Sequence, residues 1–324
     1  MFPVQSKRLL QHVRQRLPAV AVGIDVGRSV IRVATLLGSP RGIELAGLAS
    51  APVTSLQGAA GEVPLLRQTV ERACRHASCW PRRPAMAVAA GNVLARALQV
   101  PLEVDDEAVS ELVERAARQL PVAAADLSVA WAVPGDSAEA PSAGPSSRPV
   151  LMVAARREAV LARQSLAARA GLGRVPIEVD LFASLRAAAA AWQDSGVPGA
   201  VHLLVDAGLD SVRAVASCGQ GQLPSFRVVP APRSCTTAQL ASAVAEALHG
   251  LRSPTPAVAQ VVILSGGRAG AEGLALAITS LTGLSCCFAE PFAGLADPRG
   301  LAPISGPSAA VWSCAIGLAR RGLA

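Results

Sequence analysis

Two segments, one in each half of the chain, carry nearly the same pattern. Residues 23–34 read GIDVGRSVIRVA and residues 203–215 read LLVDAGLDSVRAV. Each consists of an apolar strand that ends in an aspartate, a turn that contains glycine and a returning β-branched strand, which is typical of a β-hairpin. Equivalent hairpins in both halves predict a duplicated α/β protein with a nucleotide cleft between the two halves.

The residues in the two turns suit a phosphate group. Gly27 and Gly208 permit a positive φ, which lets a phosphate approach the backbone amides. Asp25 and Asp206 end the strands, and we expect them to hold a hydrated Mg²⁺, which prefers one or two carboxylates together with water. The other turn residues predicted to bind nucleotide are Arg28, Ser29 and Ser211.

A third element follows in the second half. The apolar residues 261–264 lead into Gly266, Gly267 and Arg268, and residues 271–274 open a predicted helix. A strand, a glycine turn and a helix N-terminus form a docking edge for adenosine or phosphate. Taken alone, the element is better explained as a tight turn between a strand and a helix. The order hairpin, hairpin, Gly-Gly turn resembles the actin, Hsp70 and sugar-kinase superfamily.

Within that superfamily the chain resembles the PilM family of type IV pilus assembly proteins. A φ-x-φ-P strand, LQVPL, precedes an acidic helix that closes on Leu-Pro, and later segments match the family in the same order. The matching segments are residues 98–102, 118–121, 150–158, 170–183, 290–292 and 315–322.

The resemblance implies an α/β, actin-like fold with two lobes, an inserted small α/β subdomain and a reduced helical lid on the second lobe. We expect lobe I at residues 20–199, with the subdomain at about 84–133 and a flexible loop at 134–149. Lobe II follows at 200–324, and a basic segment occupies residues 1–19. The lid is predicted to be reduced because the chain between the second hairpin and the Gly-Gly turn has room for one crossover helix, at residues 237–251.

The resemblance also implies a function. PilM-like proteins are cytoplasmic adaptors, peripheral to the inner membrane, that bind the cytoplasmic tail of the bitopic membrane protein PilN. The tail is expected to dock as an extended peptide between lobe I and the inserted subdomain. The residues predicted to contact it are Val100, Pro101, Leu120 and Pro121, for which core and turn positions are the alternative interpretation.

The nucleotide chemistry departs from the superfamily pattern. Lys7 is the only lysine, which excludes a Walker-type phosphate loop and leaves the first hairpin without the usual neighbouring lysine. Arg28 or Arg32 is a substitute, although we expect Arg32 on the exposed face of its strand. Because the lysine and the lid are both missing, we predict weak binding of ATP and Mg²⁺ and doubtful hydrolysis.

Two alternatives remain. An ATPase or small-molecule phosphotransferase of the same superfamily needs a residue that orients the nucleophile, and neither Glu178 nor Asp180 lies in a recognisable motif for that role. The cytoplasmic half of a type II secretion platform protein would be followed by a membrane span, and none appears before Ala324.

Composition limits the remaining classes. The net charge of +7 is compatible with nucleic acid or an anionic membrane, but aromatic residues make up 3% of the chain and tyrosine is absent, which argues against base stacking. No apolar run reaches the roughly 18 residues of a membrane span, and no signal peptide is recognisable. Seven cysteines, an odd number, argue against a disulfide framework. The basic residues 1–18 suit either a membrane-surface helix or a solvated terminus.

Overall fold

The computed structural model describes most of the chain. The described ranges are residues 19–53, 58–77, 83–133, 147–192, 201–218, 224–251, 259–303 and 305–323. The basic segment 1–18 and residues 134–146 of the predicted flexible loop lie outside them. The end of that predicted loop is instead strand, because Ser147 and Pro149 pair with Pro101 and Gln99. None of the helices in the described part of the chain has the length and apolarity needed to cross a membrane.

The elements alternate as the hydrophobic pattern predicts. Those of the first half are β1 (Ala19–Val26), β2 (Val30–Ser39), β3 (Gly42–Pro52), α1 (Gly58–Cys74), β4 (Arg83–Val88), β5 (Val93–Pro101), α2 (Asp106–Ala117), β6 (Leu127–Ala132), β7 (Ser147–Arg156), α3 (Arg157–Arg169), β8 (Ile177–Val179) and α4 (Asp180–Trp192). Those of the second half are β9 (Val201–Ala207), β10 (Ser211–Cys218), β11 (Ser225–Pro230), α5 (Thr237–His249), β12 (Ala259–Ser265), α6 (Leu274–Thr282), β13 (Ser285–Phe288), β14 (Leu295–Ala296), α7 (Pro307–Ala310) and α8 (Ser313–Arg321).

The two large sheets share one topology. The first has the strand order β14-β3-β2-β1-β4-β8 and the second has the order β11-β10-β9-β12-β13. In both, three consecutive strands form an antiparallel meander. Two more strands, both parallel to the first strand of the meander, extend the sheet beyond that strand. Parallel strands need crossover connections, and helices supply them, as is usual in α/β proteins. This repeat confirms the predicted duplicated α/β fold.

A third sheet forms the inserted subdomain. Its strand order is β5-β7-β6, all antiparallel, and α2 covers one face of it. Asp105 caps the helix by accepting a hydrogen bond from the amide of Ala108, so the acidic start found in the sequence marks the helix boundary. The sheet includes β7, which lies beyond residue 133, where we expected the subdomain to end.

The crossover helix predicted at residues 237–251 is α5, which ends at His249. A capping box between Thr236 and Gln239 fixes its start. Within the described residues, α5 is the only helix between β11 and β12. This arrangement matches the reduced lid predicted from the sequence.

The last helix returns to the first half of the chain. A Cβ on Gly23 of β1 would lie 1.8 Å from the carbonyl oxygen of Ala315, and a Cβ on Gly317 would lie 1.7 Å from that of Ala183. Helix α8 therefore packs backbone to backbone against β1 on one side and α4 on the other. Strand β14 likewise pairs with β3. The division into lobes at residue 200 stays a prediction, but in space these late elements lie against the first sheet.

We expect Gly317→Ala to destabilise the protein by about 3 kcal/mol or more, because overpacking a well-filled contact typically costs 1–3 kcal/mol and the obstacle here is backbone. Gly91→Ala is the matched control, since it adds the same methyl group where nothing lies within 4 Å. Urea denaturation of both variants measures the difference. Equal stability of the two variants would contradict this close packing.

Candidate functional site

One cleft of about 680 Å³ gathers the residues predicted for nucleotide. It lies where β1, β9 and β12 end and where α4 begins. All ten predicted residues line it: Asp25, Gly27, Arg28, Ser29, Asp206, Gly208, Ser211, Gly266, Gly267 and Arg268. Their convergence follows from the topology, because the equivalent edges of both large sheets face the same space. Their individual roles in binding stay predictions.

The two hairpins are equivalent residue by residue. Asp25 on β1 lies opposite Arg32 on β2, and Asp206 on β9 lies opposite Arg213 on β10. Each hairpin therefore brings one aspartate and one arginine to the same edge of its sheet. Arg32 was predicted on the exposed face of its strand, but it lines the cleft. That prediction was wrong because Ala34 and Leu36, which share this face of β2, pack in one apolar cluster with Ile316 of α8, so the face is covered.

The turn glycines are required for space rather than for backbone conformation. Neither Gly27 nor Gly208 has the positive φ that we expected. A Cβ on either would lie 3.0 Å from a carbonyl oxygen, that of Val30 or Ser211, whose hydrogen bond with the glycine amide closes the turn. Gly266 does have a positive φ, of 92°, and a Cβ there would lie 2.8 Å from Asp206 Oδ1.

The Gly-Gly turn differs from the predicted docking edge. Helix α6 begins at Leu274, several residues after Gly267, so the turn does not lead directly into a helix N-terminus. Arg268 folds back and donates hydrogen bonds from Nε to the carbonyl of Gly208 at 2.6 Å and from Nη2 to that of Ala231 at 2.7 Å. Its guanidinium therefore ties the second hairpin to the segment after β11.

Arg213 is the residue that the sequence analysis missed. Its Nη1 donates to Asp180 Oδ2, and its Nη2 donates to Asp206 Oδ1 at 2.5 Å. Asp180 is fixed in turn, because its Oδ1 accepts hydrogen bonds from the amides of Ala90 at 2.9 Å and Leu181 at 2.8 Å. The internal repeat contained the signal, since Arg213 is the counterpart of Arg32.

Two further arginines border the cleft. Arg163 on α3 donates from Nη2 to the carbonyl of Val26 at 2.9 Å. Arg28 in the first hairpin turn pairs with Asp210 in the second, with 2.5 Å between Nη1 and Oδ2. Because this pair is exposed, it contributes little to stability. It does join the two turns across the mouth of the cleft.

A second concavity lies on the small subdomain. It encloses about 480 Å³ between α2 and β6, and the start of α3 closes one end. We call it the subdomain groove. Its lining residues are Ser110, Val113, Glu114, Ala117, Arg118, Ala124, Leu127, Val129, Trp131 and Arg157.

The four predicted partner contacts lie outside the subdomain groove. Val100 is 1% exposed and packs in the core beneath α2, so the surface contact predicted for it is not available. Leu120 is half-buried against the same core, whereas Pro101 and Pro121 are exposed. For these three residues the partner contact stays a prediction.

Comparison with known proteins shows to which family the chain belongs. A family model described as type IV pilus assembly protein PilM matches residues 23–215, more than half of the chain. The chain belongs to the PilM family. A solved chain titled PilM-PilN type IV pilus biogenesis complex is similar, with 23% identity and a TM-score of 0.73 over 94% of this chain and 98% of that one. No curated protein matches the sequence.

The fold relationship extends beyond the PilM family. The ethanolamine utilization protein EutJ from Carboxydothermus hydrogenoformans has 14% identity and a TM-score of 0.51, over 97% of this chain and 96% of that one. The predicted resemblance to PilM and the actin-like fold are therefore confirmed.

The electrostatics of this PilM-family cleft centre on Arg213. Burial raises the pKa of Asp180 to about 6, since the loss of solvation outweighs the opposing effect of Arg213. Burial also raises the pKa of Asp25, against the lowering effect of Arg32. For Arg213, burial acts to lower the pKa, but Asp206 and Asp180 more than offset it and the net shift is upward.

This arrangement does not suit a Mg²⁺ ion shared by Asp25 and Asp206. A Mg²⁺ ion binds carboxylates that are free to coordinate it. In this cleft, Arg213 already pairs with Asp206 and with Asp180. Among the described residues, no group of three or more His, Cys, Asp or Glu side chains is placed to hold a metal ion.

The raised pKa of Asp180 predicts a pH-dependent loss of stability. Its contribution is complete below the unfolded value of 3.8 and is lost as the pH rises through about 6, because the folded state favours the protonated acid. For an isolated group, the difference between the unfolded and the folded pKa corresponds to about 3 kcal/mol in the free energy of unfolding. We expect the stability of the wild type, relative to Asp180→Asn, to fall between about pH 4 and about pH 7. Urea denaturation across this range measures it, and a constant difference would contradict the shift.

Proposed function

We propose that this chain is a cytoplasmic adaptor of a type IV pilus assembly platform, peripheral to the inner membrane, which binds the cytoplasmic tail of a PilN-like membrane protein. Membership of the PilM family and the likeness to a chain of a PilM–PilN complex support the proposal. The observation that carries it is the subdomain groove, which combines an apolar floor with an unpaired strand edge.

The edge belongs to β6. This strand is at the end of the β5-β7-β6 sheet, with β7 on one side and no paired strand on the other within the described residues. An edge strand presents free backbone donors and acceptors, and an extended peptide adds to such an edge as a further strand. The tail is therefore held first by backbone hydrogen bonds, which do not depend on its sequence.

The floor of the subdomain groove provides the pockets. Val113 and Leu127 are buried, Trp131 is half-buried and Val129 is 36% exposed, so an apolar surface remains for a ligand to cover. Trp131 is fixed because its Nε1 donates to Ser110 Oγ at 3.1 Å. A rigid, partly exposed aromatic ring is the kind of anchor found at the centre of peptide interfaces.

The rim of the subdomain groove carries charge of both signs. Glu114 and Arg118 form a loose pair one turn apart on α2, with 3.7 Å between them. Arg157 at the start of α3 donates from Nε and Nη2 to the carbonyl of Leu127, at 3.3 and 3.1 Å. It thereby joins lobe I to the subdomain at the end of the groove. A peptide bound here therefore lies between the two, as the family resemblance implies.

Val129→Asp should weaken the binding of a PilN-like tail peptide at least tenfold, or about 1.4 kcal/mol, because a carboxylate would face the apolar pocket. Leu276→Asp is the matched control, since Leu276 is 73% exposed on α6 in the second half of the chain. Fluorescence anisotropy with a labelled peptide measures both. Circular dichroism confirms that the variants are folded.

If a folded Val129→Asp variant binds the peptide as tightly as the wild type, the subdomain groove is not the binding site. Leu120→Asp then distinguishes a shifted site from no site, because Leu120 is a predicted contact outside the groove. If neither substitution weakens the binding, the adaptor role in this form is wrong.

We also propose that ATP binds weakly in the cleft and is not turned over. Arg213, Arg28 and Arg268 are already paired with groups of the protein, which leaves fewer free cations for phosphate. We expect calorimetry with Mg-ATP to give a dissociation constant above about 1 μM, which corresponds to a binding free energy smaller than about 8 kcal/mol. Tighter binding with phosphate release would instead favour the ATPase alternative.

A further inference from the structure

The cleft gathers three carboxylates, of which Asp180 is buried and the other two are partly buried. Asp25, Asp180 and Asp206 all line it, and the charges of Asp206 and Asp25 each act to raise the pKa of Asp180. Carboxylates gathered in this way need a nearby positive charge, because uncompensated burial of a charge is costly. In proteins that bind phosphate, a divalent cation commonly supplies it.

In this chain the positive charge is a side chain. The two Nη atoms of Arg213 face Asp180 and Asp206 separately, so one guanidinium links a carboxylate of each half of the protein. Its side chain is 18% exposed. Its Nε is buried and lacks a hydrogen-bond partner within the described part of the chain. The fork geometry of arginine suits this bridging position, and lysine could not fill it in the same way.

The position also follows from the fold. Arg213 is directly opposite Asp206 in the hairpin register, so its side chain has to project along the same edge as that carboxylate. Asp180 is held towards it by the amides of Ala90 and Leu181. Both ends of the bridge are thus fixed by backbone structure rather than by mobile loops.

We propose that Arg213 takes the place of a divalent cation in this cleft, so that Asp180 and Asp206 bind no metal ion. A phosphate-bearing ligand would therefore meet guanidinium groups instead of a metal. Arg32 lines the same cleft and forms no hydrogen bond or salt bridge among the described residues, and its charge acts on Asp25, whose pKa it lowers. This inference does not depend on the partner role.

The test uses Mn²⁺ alone as the probe, with binding measured by electron paramagnetic resonance and calorimetry on the full chain. The wild type should not bind Mn²⁺ more tightly than about 1 mM. Arg213→Gln removes the guanidinium and leaves both carboxylates free, so it should gain at least tenfold in Mn²⁺ affinity. Arg213→Lys retains a positive charge but loses the fork that reaches both carboxylates, so its Mn²⁺ affinity should lie between those of the wild type and Arg213→Gln.

Two results would overturn the proposal. One is a dissociation constant for Mn²⁺ below about 1 mM in the wild type, with binding that Asp206→Asn abolishes. The other is a folded Arg213→Gln variant with no gain in affinity. If Arg213→Gln is unstable, Mn²⁺ should raise its melting temperature and leave that of the wild type unchanged. An unstable variant that Mn²⁺ does not stabilise would count against the proposal equally.

Discussion

One guanidinium, shared between a carboxylate of each half, joins the two halves of this protein at the floor of the cleft. Asp180 begins a helix of the first half, Asp206 ends a strand of the second, and Arg213 pairs with both. Removing one member of a buried ionic group leaves an uncompensated charge, which typically costs about 3–5 kcal/mol. Below this bridge the contact is apolar, with Leu181 of one half packed in the same cluster as Leu204 of the other. The polar floor of the cleft thus lies directly on the core that joins the halves.

The position of Asp180 depends on a packing constraint some distance away. Helix α8 contacts β1 at Gly23 and α4 at Gly317 with no room for a Cβ at either point. These contacts fix α4 relative to the first sheet, and Asp180 is the first residue of α4. Small residues in the last helix therefore act on the cleft indirectly, through the placement of one carboxylate. The packing at these two glycines cannot relax by changes of side-chain rotamer, because the contacts are between backbone atoms.

Local patterns in the sequence were sufficient for the duplicated hairpins and for the ten cleft residues predicted from the turns. A strand, an aspartate and a glycine turn are contiguous, so the two hairpins could be recognised, and their repetition implied that both turns face one space. Pairing across the fold could not be predicted in the same way. The alternation along β2 shows that Arg32 shares a face with Ala34 and Leu36, but not that α8, which is distant in sequence, covers this face. Likewise, the partner of Arg213 on α4 is distant in sequence, and the burial of Val100 depends on α2 folding over β5.

The two concave sites differ in how much interaction they leave unused. In the cleft, Arg28, Arg213 and Arg268 are paired with groups of the protein itself, so a ligand has to compete with existing hydrogen bonds. In the subdomain groove, the outer edge of β6 has no partner strand among the described residues, and Val129 remains partly exposed. Free energy of association comes from groups that are satisfied or desolvated only on binding. By this criterion the groove has more to gain from a ligand than the cleft, and a peptide that completes the sheet is the ligand that would gain it.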